Sequence, residues 1–179
     1  MDNLLFSTRS LLTMLHGIVL GGGALIAVGA ALFALIAMRA TPDGAATDAQ
    51  ARYVGWLLVA AAALLWLAVI AGTYVSFPPY RATPPEGLTD LSQYPRALIR
   101  SDASTAWLHS IAMESKEHMP WIAAMLATGV AFTGMRYRGR LLSDARVRGP
   151  AISLLSICFV LVAAVSMLGI LINKVAPLQ

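Results

Sequence analysis

Four long apolar runs determine what this chain can fold into. They occupy residues 15–38, 54–77, 119–135 and 151–172. A helix needs about 20 apolar residues to cross roughly 30 Å of hydrocarbon. The third run is short unless the amphipathic stretch before it continues the same helix. Lipid leaves no backbone polar group unpaired, and the period-two alternation of barrel strands is absent, so each run is predicted to be helical. We therefore predict spans at about 15–38, 54–77, 106–135 and 151–173.

The composition supports an all-α integral membrane four-helix bundle, with residues 1–179 forming a single transmembrane domain. The chain is 58% hydrophobic and 12% charged, whereas a soluble domain carries about 25% charged residues. The first run is too long for a signal peptide and contains His16, so we expect it to be retained as a span. Cys158 is the only cysteine, which excludes a disulfide within one chain.

The three loops differ in character. The first, 39–53, contains a predicted turn at Thr41-Pro42-Asp43-Gly44. The second, 78–104, is rich in proline, and we expect a largely irregular loop on the membrane surface. The third, 136–149, carries five arginines against one acid.

Arginine density predicts the orientation. Short loops rich in arginine stay in the cytoplasm, so the first and third loops are predicted to be cytoplasmic. Both termini and the long second loop are then outside, in an inner (plasma) membrane. The positive net charge has this role here, and we do not expect a nucleic-acid partner. Lipids and other membrane-protein subunits are the expected partners.

All three histidines fall on the predicted outer side. His16 begins the first run, and His109 and His118 precede the third. Glu114 and His118 are four residues apart and share a helical face. His109 and His118 are nine apart, about 900° of helix, and point to opposite faces unless the helix bends. Pro120 could disturb the helix at this point. Ionisable residues at membrane depth suggest function, although the same residues near an interface also serve as plain anchors.

Glycines follow His16 along the first run. Gly17 and Gly21 form a small-xxx-small pattern that lets helices approach closely. Gly23 lies seven residues after His16 and nearly on the same face. The pattern predicts close packing on a neighbouring helix, room for a flat macrocycle beside the histidine, or both.

The placement of the histidines resembles that of four-helix membrane b-type cytochromes, in which haem lies inside the bundle. The resemblance implies a haem b held by His16 and His118, with His109 as a substitute ligand. Cations on the same side would pair with the propionates: Arg81, Arg96, Arg100 and Lys116. The resemblance rests on layout alone, and three histidines allow at most one bis-histidine haem. The implied function is electron transfer near the outer face, within a larger respiratory-type complex.

Three alternatives use the same residues differently. A transition metal could bind to His16, His118 and Glu114, with His109 as a further ligand. A quinone head group could bind near Tyr74, Lys116 or Glu117. The chain could also be a cofactor-free structural or assembly subunit. No nucleotide-binding or hydrolase motif is present, so we expect an electron-transfer or accessory subunit rather than a stand-alone enzyme.

Overall fold

The computed structural model describes residues 7–38 and 48–177, and all regular structure in these ranges is helical. The predicted all-α class is therefore confirmed. The turn predicted within residues 39–47 lies outside the described ranges. The helices are α1 (Thr8–Ala37), α2 (Asp48–Tyr80), α3 (Pro95–Ser101), α4 (Glu114–Tyr137), α5 (Gly139–Ser143) and α6 (Ala145–Val175).

Three helices of the described chain, α1, α2 and α6, are long and apolar enough to cross a membrane. They correspond to three of the four predicted spans. The fourth prediction, over 106–135, corresponds to α4 and the turns before it. The first residues of α4 include Glu114, Lys116 and Glu117, and this polar stretch lowers the apolar content of the helix.

The long helices pack with their small residues inward. α1 contacts α2, α2 contacts α4, α4 contacts α6, and α6 contacts α1. Alanine is frequent in the shared core, as at Ala24, Ala31, Ala61, Ala123, Ala124 and Ala127. Several of the largest apolar side chains point outward: Ile26, Phe33, Trp56 and Phe132 are each more than 60% exposed. Small residues at helix contacts and large ones outside are typical of membrane proteins.

Two polar contacts fix the register of the helices. The indole N–H of Trp66 donates to Oγ1 of Thr128 at 2.9 Å, which joins α2 to α4. The thiol of Cys158 donates to the carbonyl of Ala123 at 3.4 Å, which joins α6 to α4. Trp66 also contacts Trp121 edge to face, with centroids 5.7 Å apart. These contacts hold α4 against both neighbours.

The fourth run begins earlier than predicted. α6 starts at Ala145 rather than at 151, because the Asp144 carboxylate accepts the backbone N–H of Arg146 at 2.9 Å and caps the helix. This N–H and the Arg140 guanidinium hold the pKa of Asp144 below its ordinary value. The arginine-rich loop is therefore short, and part of it forms α5.

Two further expectations concern the second loop and Pro120. The loop predicted over 78–104 is largely irregular, as expected, but it also contains α3, which buries Ile99 against the neighbouring helices. Pro120 does not interrupt α4, which runs unbroken through it. Without an N–H, Pro120 cannot donate the backbone hydrogen bond to the Lys116 carbonyl, but the helix continues through this point.

Candidate functional site

Three π-helical segments lie at one end of the helix assembly. We name this end the polar end: it contains the start of α1, the end of α2, the start of α4 and the end of α6. The segments are Leu15–Gly22 in α1, Gly72–Ser76 in α2, and Leu108–Met113 just before α4. π-Helical turns are rare and are frequent at functional sites. The predicted site residues lie in or beside these segments.

His16 lies against a glycine of α2. A Cβ atom at Gly72 would lie 2.8 Å from Cε1 of the His16 ring. The ring also faces the backbone of Ala68, and its Nδ1 is buried with no hydrogen-bond partner among the described residues. The imidazole is thus held between α1 and α2 with one nitrogen unused.

Lys116 lies against a glycine of α6. A Cβ atom at Gly169 would lie 2.7 Å from the Lys116 Nζ atom. The lysine is largely buried and is close enough to His16 to interact with it electrostatically. In the described part of the chain, no carboxylate lies within 4 Å of this ammonium group. Two glycines, one on α2 and one on α6, therefore make room for the two polar groups.

His109 forms a separate pair with Tyr80. The Tyr80 hydroxyl and His109 Nδ1 lie 3.0 Å apart, and Tyr80 is buried at the end of α2. The tyrosine packs in a small apolar cluster with Ile99, Leu108 and Ile172. His109 therefore has a structural partner of its own and does not meet His16.

His118 points away from the other helices. Its side chain is exposed, and Nδ1 donates to the Glu114 carbonyl at 2.8 Å when that nitrogen carries the proton. Nε2 is then free to accept a hydrogen bond or to bind a metal. The Glu114 carboxylate is not the group that His118 contacts, although the two residues share a helical face as predicted.

Two open cavities lie near the Tyr80–His109 pair, and three arginines contribute to their walls. Arg81, Arg96 and Arg100 line a cavity of about 350 Å³, together with residues of the loop after α2. Arg96 and Arg100 also line an adjoining cavity of about 640 Å³, with His109, Ser110 and Glu114 on its other walls. Arg96 Nε is buried and has no hydrogen-bond partner among the described residues.

The predicted haem ligands do not face a common space. His16 points inward at α2, and His118 points outward from α4. A flat macrocycle cannot bind both imidazoles in this arrangement, and neither residue lines the two cavities described above. Gly23 has no atom within 4 Å of where its Cβ would lie, so space exists there but no ligand group lies beside it.

The residues predicted to bind a transition metal or a quinone are not brought together either. Within the described residues, no three His, Cys, Asp or Glu side chains are close enough together to hold a metal ion. The set His16, His118, Glu114 and His109 is therefore not assembled as a metal centre. Of the predicted quinone contacts, Tyr74 is 72% exposed, whereas Lys116 points inward.

Sequence reasoning missed three residues of this end. Tyr80, Gly72 and Gly169 are not among the site residues that the sequence predicts. The signal that could have identified the two glycines is their position: each lies near the end of an apolar run, at the depth of a histidine or lysine on another run. Its partner could not be deduced, because helix rotation is not encoded in the apolar pattern.

Comparisons with protein-family models, with curated proteins and with solved structures give no match to this chain. The class of protein is therefore defined by the chain itself. It is an all-helical protein in which three of the described helices are long and apolar enough to cross a membrane.

Proposed function

We propose that the chain crosses the membrane four times, as a four-helix bundle, and serves as a subunit of a larger membrane complex. In this proposal α4 is the fourth span, and the arginine-rich end faces the cytoplasm. The exposed large side chains on α4, such as Met125 and Phe132, support its contact with lipid or with another chain.

The observation that supports a contact with another subunit is an exposed glycine of α4, which lies on the same helical face as His118. Gly129 is exposed, and no neighbouring atom of residues 7–38 or 48–177 lies within 4 Å of where its Cβ would lie. It follows His118 by eleven residues, or about three turns, so both lie on one face. We name His118, Ile122, Met125, Gly129 and Phe132 the outward face of α4; all five are exposed.

Several other glycines of the long helices are covered by side chains of a neighbouring helix within this chain. Gly55 and Gly134 lie between α2 and α4, where Met135 and Leu58 cover them. Gly29 is covered in the same way by Phe159 of α6. Glycine is costly in a helix, and in membranes it is commonly compensated by close helix approach. Among the described residues Gly129 has no such neighbour, and neither do Gly17, Gly23 and Gly149. Because Gly129 lies within α4 on a face with exposed Met125 and Phe132, we infer that a helix of another subunit packs there.

Photo-crosslinking in native membranes tests this docking face. A photoreactive residue at Met125 should give one discrete product of higher mass. Adding Gly129→Leu should reduce its yield about tenfold, because a bulky side chain blocks close approach. A photoreactive residue at Phe33, equally exposed but on α1, is the control and should give no discrete product.

Three outcomes would contradict the proposal. They are no product from position 125, the same product from position 33, or a yield unaffected by Gly129→Leu. A product of twice the monomer mass would show that the partner is a second copy, which would overturn the assignment to another subunit.

Electron transfer through haem b is a second candidate, and the geometry of His118 favours it. An axial histidine usually donates one ring N–H to a carbonyl and binds the metal with the other nitrogen, as the Glu114 contact allows. Because His16 points inward, the second ligand would have to come from the partner on the outward face of α4. The haem proposal therefore depends on the docking face.

Spectroscopy of the chain in its native membranes tests the haem candidate. Reduction should produce split visible bands of a low-spin b-type haem. His118→Ala should abolish them, whereas His109→Ala should leave them unchanged, since His109 pairs with Tyr80. Membranes that contain the folded chain without these bands, or bands that survive His118→Ala, would contradict this candidate.

A further inference from the structure

The cavities at Arg81, Arg96 and Arg100 lie where an α-helical span ends. Arg81 directly follows α2, the last residue of which is the buried Tyr80. α3 carries Arg96 and Arg100 and is anchored to the ends of the long helices through buried Ile99. The three guanidinium groups therefore lie at the level where a bilayer places its phosphate groups.

These arginines are not neutralised within the described residues. No carboxylate of that part of the chain lies within ion-pair distance of any of the three. Glu114 lines the second cavity with Arg96 and Arg100, but it is farther than 4 Å from them. The buried and unpartnered Nε of Arg96 is costly unless it donates a hydrogen bond.

The chemistry of the cavity walls selects an anion with several acceptor oxygens. Guanidinium groups bind phosphate through paired, charge-assisted hydrogen bonds. Glu114 and Ser110 stand on the other wall of the larger cavity and can accept hydrogen bonds from hydroxyl groups. Trp107 and Ile111, the chain neighbours of cavity residues Ala106 and Ser110, are exposed apolar side chains that acyl chains can contact.

We propose that Arg81, Arg96 and Arg100 bind the phosphate of an anionic phospholipid from the adjoining leaflet. The phosphate lies between the guanidinium groups, and the hydroxyl-bearing end of the head group faces Glu114 and Ser110. This site is separate from the outward face of α4, and it rests on the proposed function only in that the long helices cross the bilayer.

The relative affinity for an anionic and a zwitterionic phospholipid tests the site. The purified full chain is titrated with short-chain phosphatidylglycerol or phosphatidylcholine, and bound lipid is measured by native mass spectrometry. We expect phosphatidylglycerol to bind about tenfold more tightly than phosphatidylcholine. The double variant Arg96→Gln/Arg100→Gln should lose this preference, because it lacks the charge-assisted donors.

Arg136→Gln/Arg146→Gln is the matched control, since it removes the same charge at the opposite end and should keep the preference. If Arg96→Gln/Arg100→Gln does not fold, the single variant Arg81→Gln of an exposed side chain serves instead. It should weaken phosphatidylglycerol binding several-fold.

Inorganic phosphate distinguishes the two sources of the same chemistry. Displacement of phosphatidylglycerol by millimolar inorganic phosphate would overturn the assignment to a lipid and identify a soluble phosphate ligand. Equal binding of both lipids by the unmodified chain would overturn the site. An unchanged preference in the folded double variant would overturn it as well.

Discussion

Replacing Arg148 by leucine is expected to lower the free energy of unfolding by about 3 kcal/mol. The Arg148 guanidinium donates from Nε to the Leu35 carbonyl and from Nη2 to the Ile36 carbonyl, each at 2.8 Å. Both carbonyls belong to the last turn of α1, where the helix has no backbone donors for them. Hydrogen bonds to charged groups contribute about 1.5–3 kcal/mol each.

The same contact joins the start of α6 to the end of α1, so its loss affects more than one helix end. Arg148→Lys keeps the positive charge but lacks the planar fork that reaches two carbonyls. We expect it to recover about half of the lost stability. Unfolding in mixed detergent micelles, followed by circular dichroism, measures all variants under one condition.

Arg146→Leu is the control for charge. Arg146 lies two residues away, is exposed, and contributes the same charge to the loop. Its replacement should change stability by less than about 0.5 kcal/mol, as is usual for surface positions. Equal destabilisation by Arg146→Leu and Arg148→Leu would show that loop charge, and not the capping contact, is responsible.

The apolar runs predicted the helices well because helix formation in this chain follows local hydrophobicity. Each of the four runs coincides with a long helix. The boundaries were less accurate where a side chain sets them. Asp144 caps α6 six residues before the apolar run begins, and a capping carboxylate lies outside any hydrophobic pattern.

The location of the ionisable residues at the two ends of the long helices was also predictable, since chain order alone places them before and after the apolar runs. Which residues meet was not predictable. His16 and His118 were expected to face each other by depth, but the rotation of α4 turns His118 outward and Lys116 inward. Rotation depends on which small residues pack at the contacts, and the π-helical segments shift it further.

Replacing Gly72 by alanine is expected to destabilise the protein by about 1–2 kcal/mol. The new methyl group would lie 2.8 Å from Cε1 and 3.2 Å from Nε2 of His16. A rigid imidazole held between two helices cannot yield without moving the backbone, and overpacking of this kind typically costs about 1–3 kcal/mol. Unfolding in mixed micelles provides the measurement.

In the His16→Ala variant, the effect of Gly72→Ala on stability is expected to change sign. With the imidazole removed, the alanine at position 72 meets no ring, and its better helix propensity is worth up to about 1 kcal/mol. Gly72→Ala should therefore destabilise the unmodified chain but stabilise the His16→Ala variant. Two residues that did not touch would give additive effects, and additivity would contradict the contact.

Gly169→Ala tests whether the loss of stability depends on the rigidity of the side chain that the new methyl group meets or only on its distance. Its methyl group would approach Lys116 Nζ even more closely, at 2.7 Å. Nζ ends a flexible chain that can withdraw by rotating its terminal bonds, so we expect less than about half the effect of Gly72→Ala. If distance alone governed the cost, Gly169→Ala would be the more harmful change. A larger effect at Gly72 than at Gly169 would show that His16 is held rigidly while Lys116 can move.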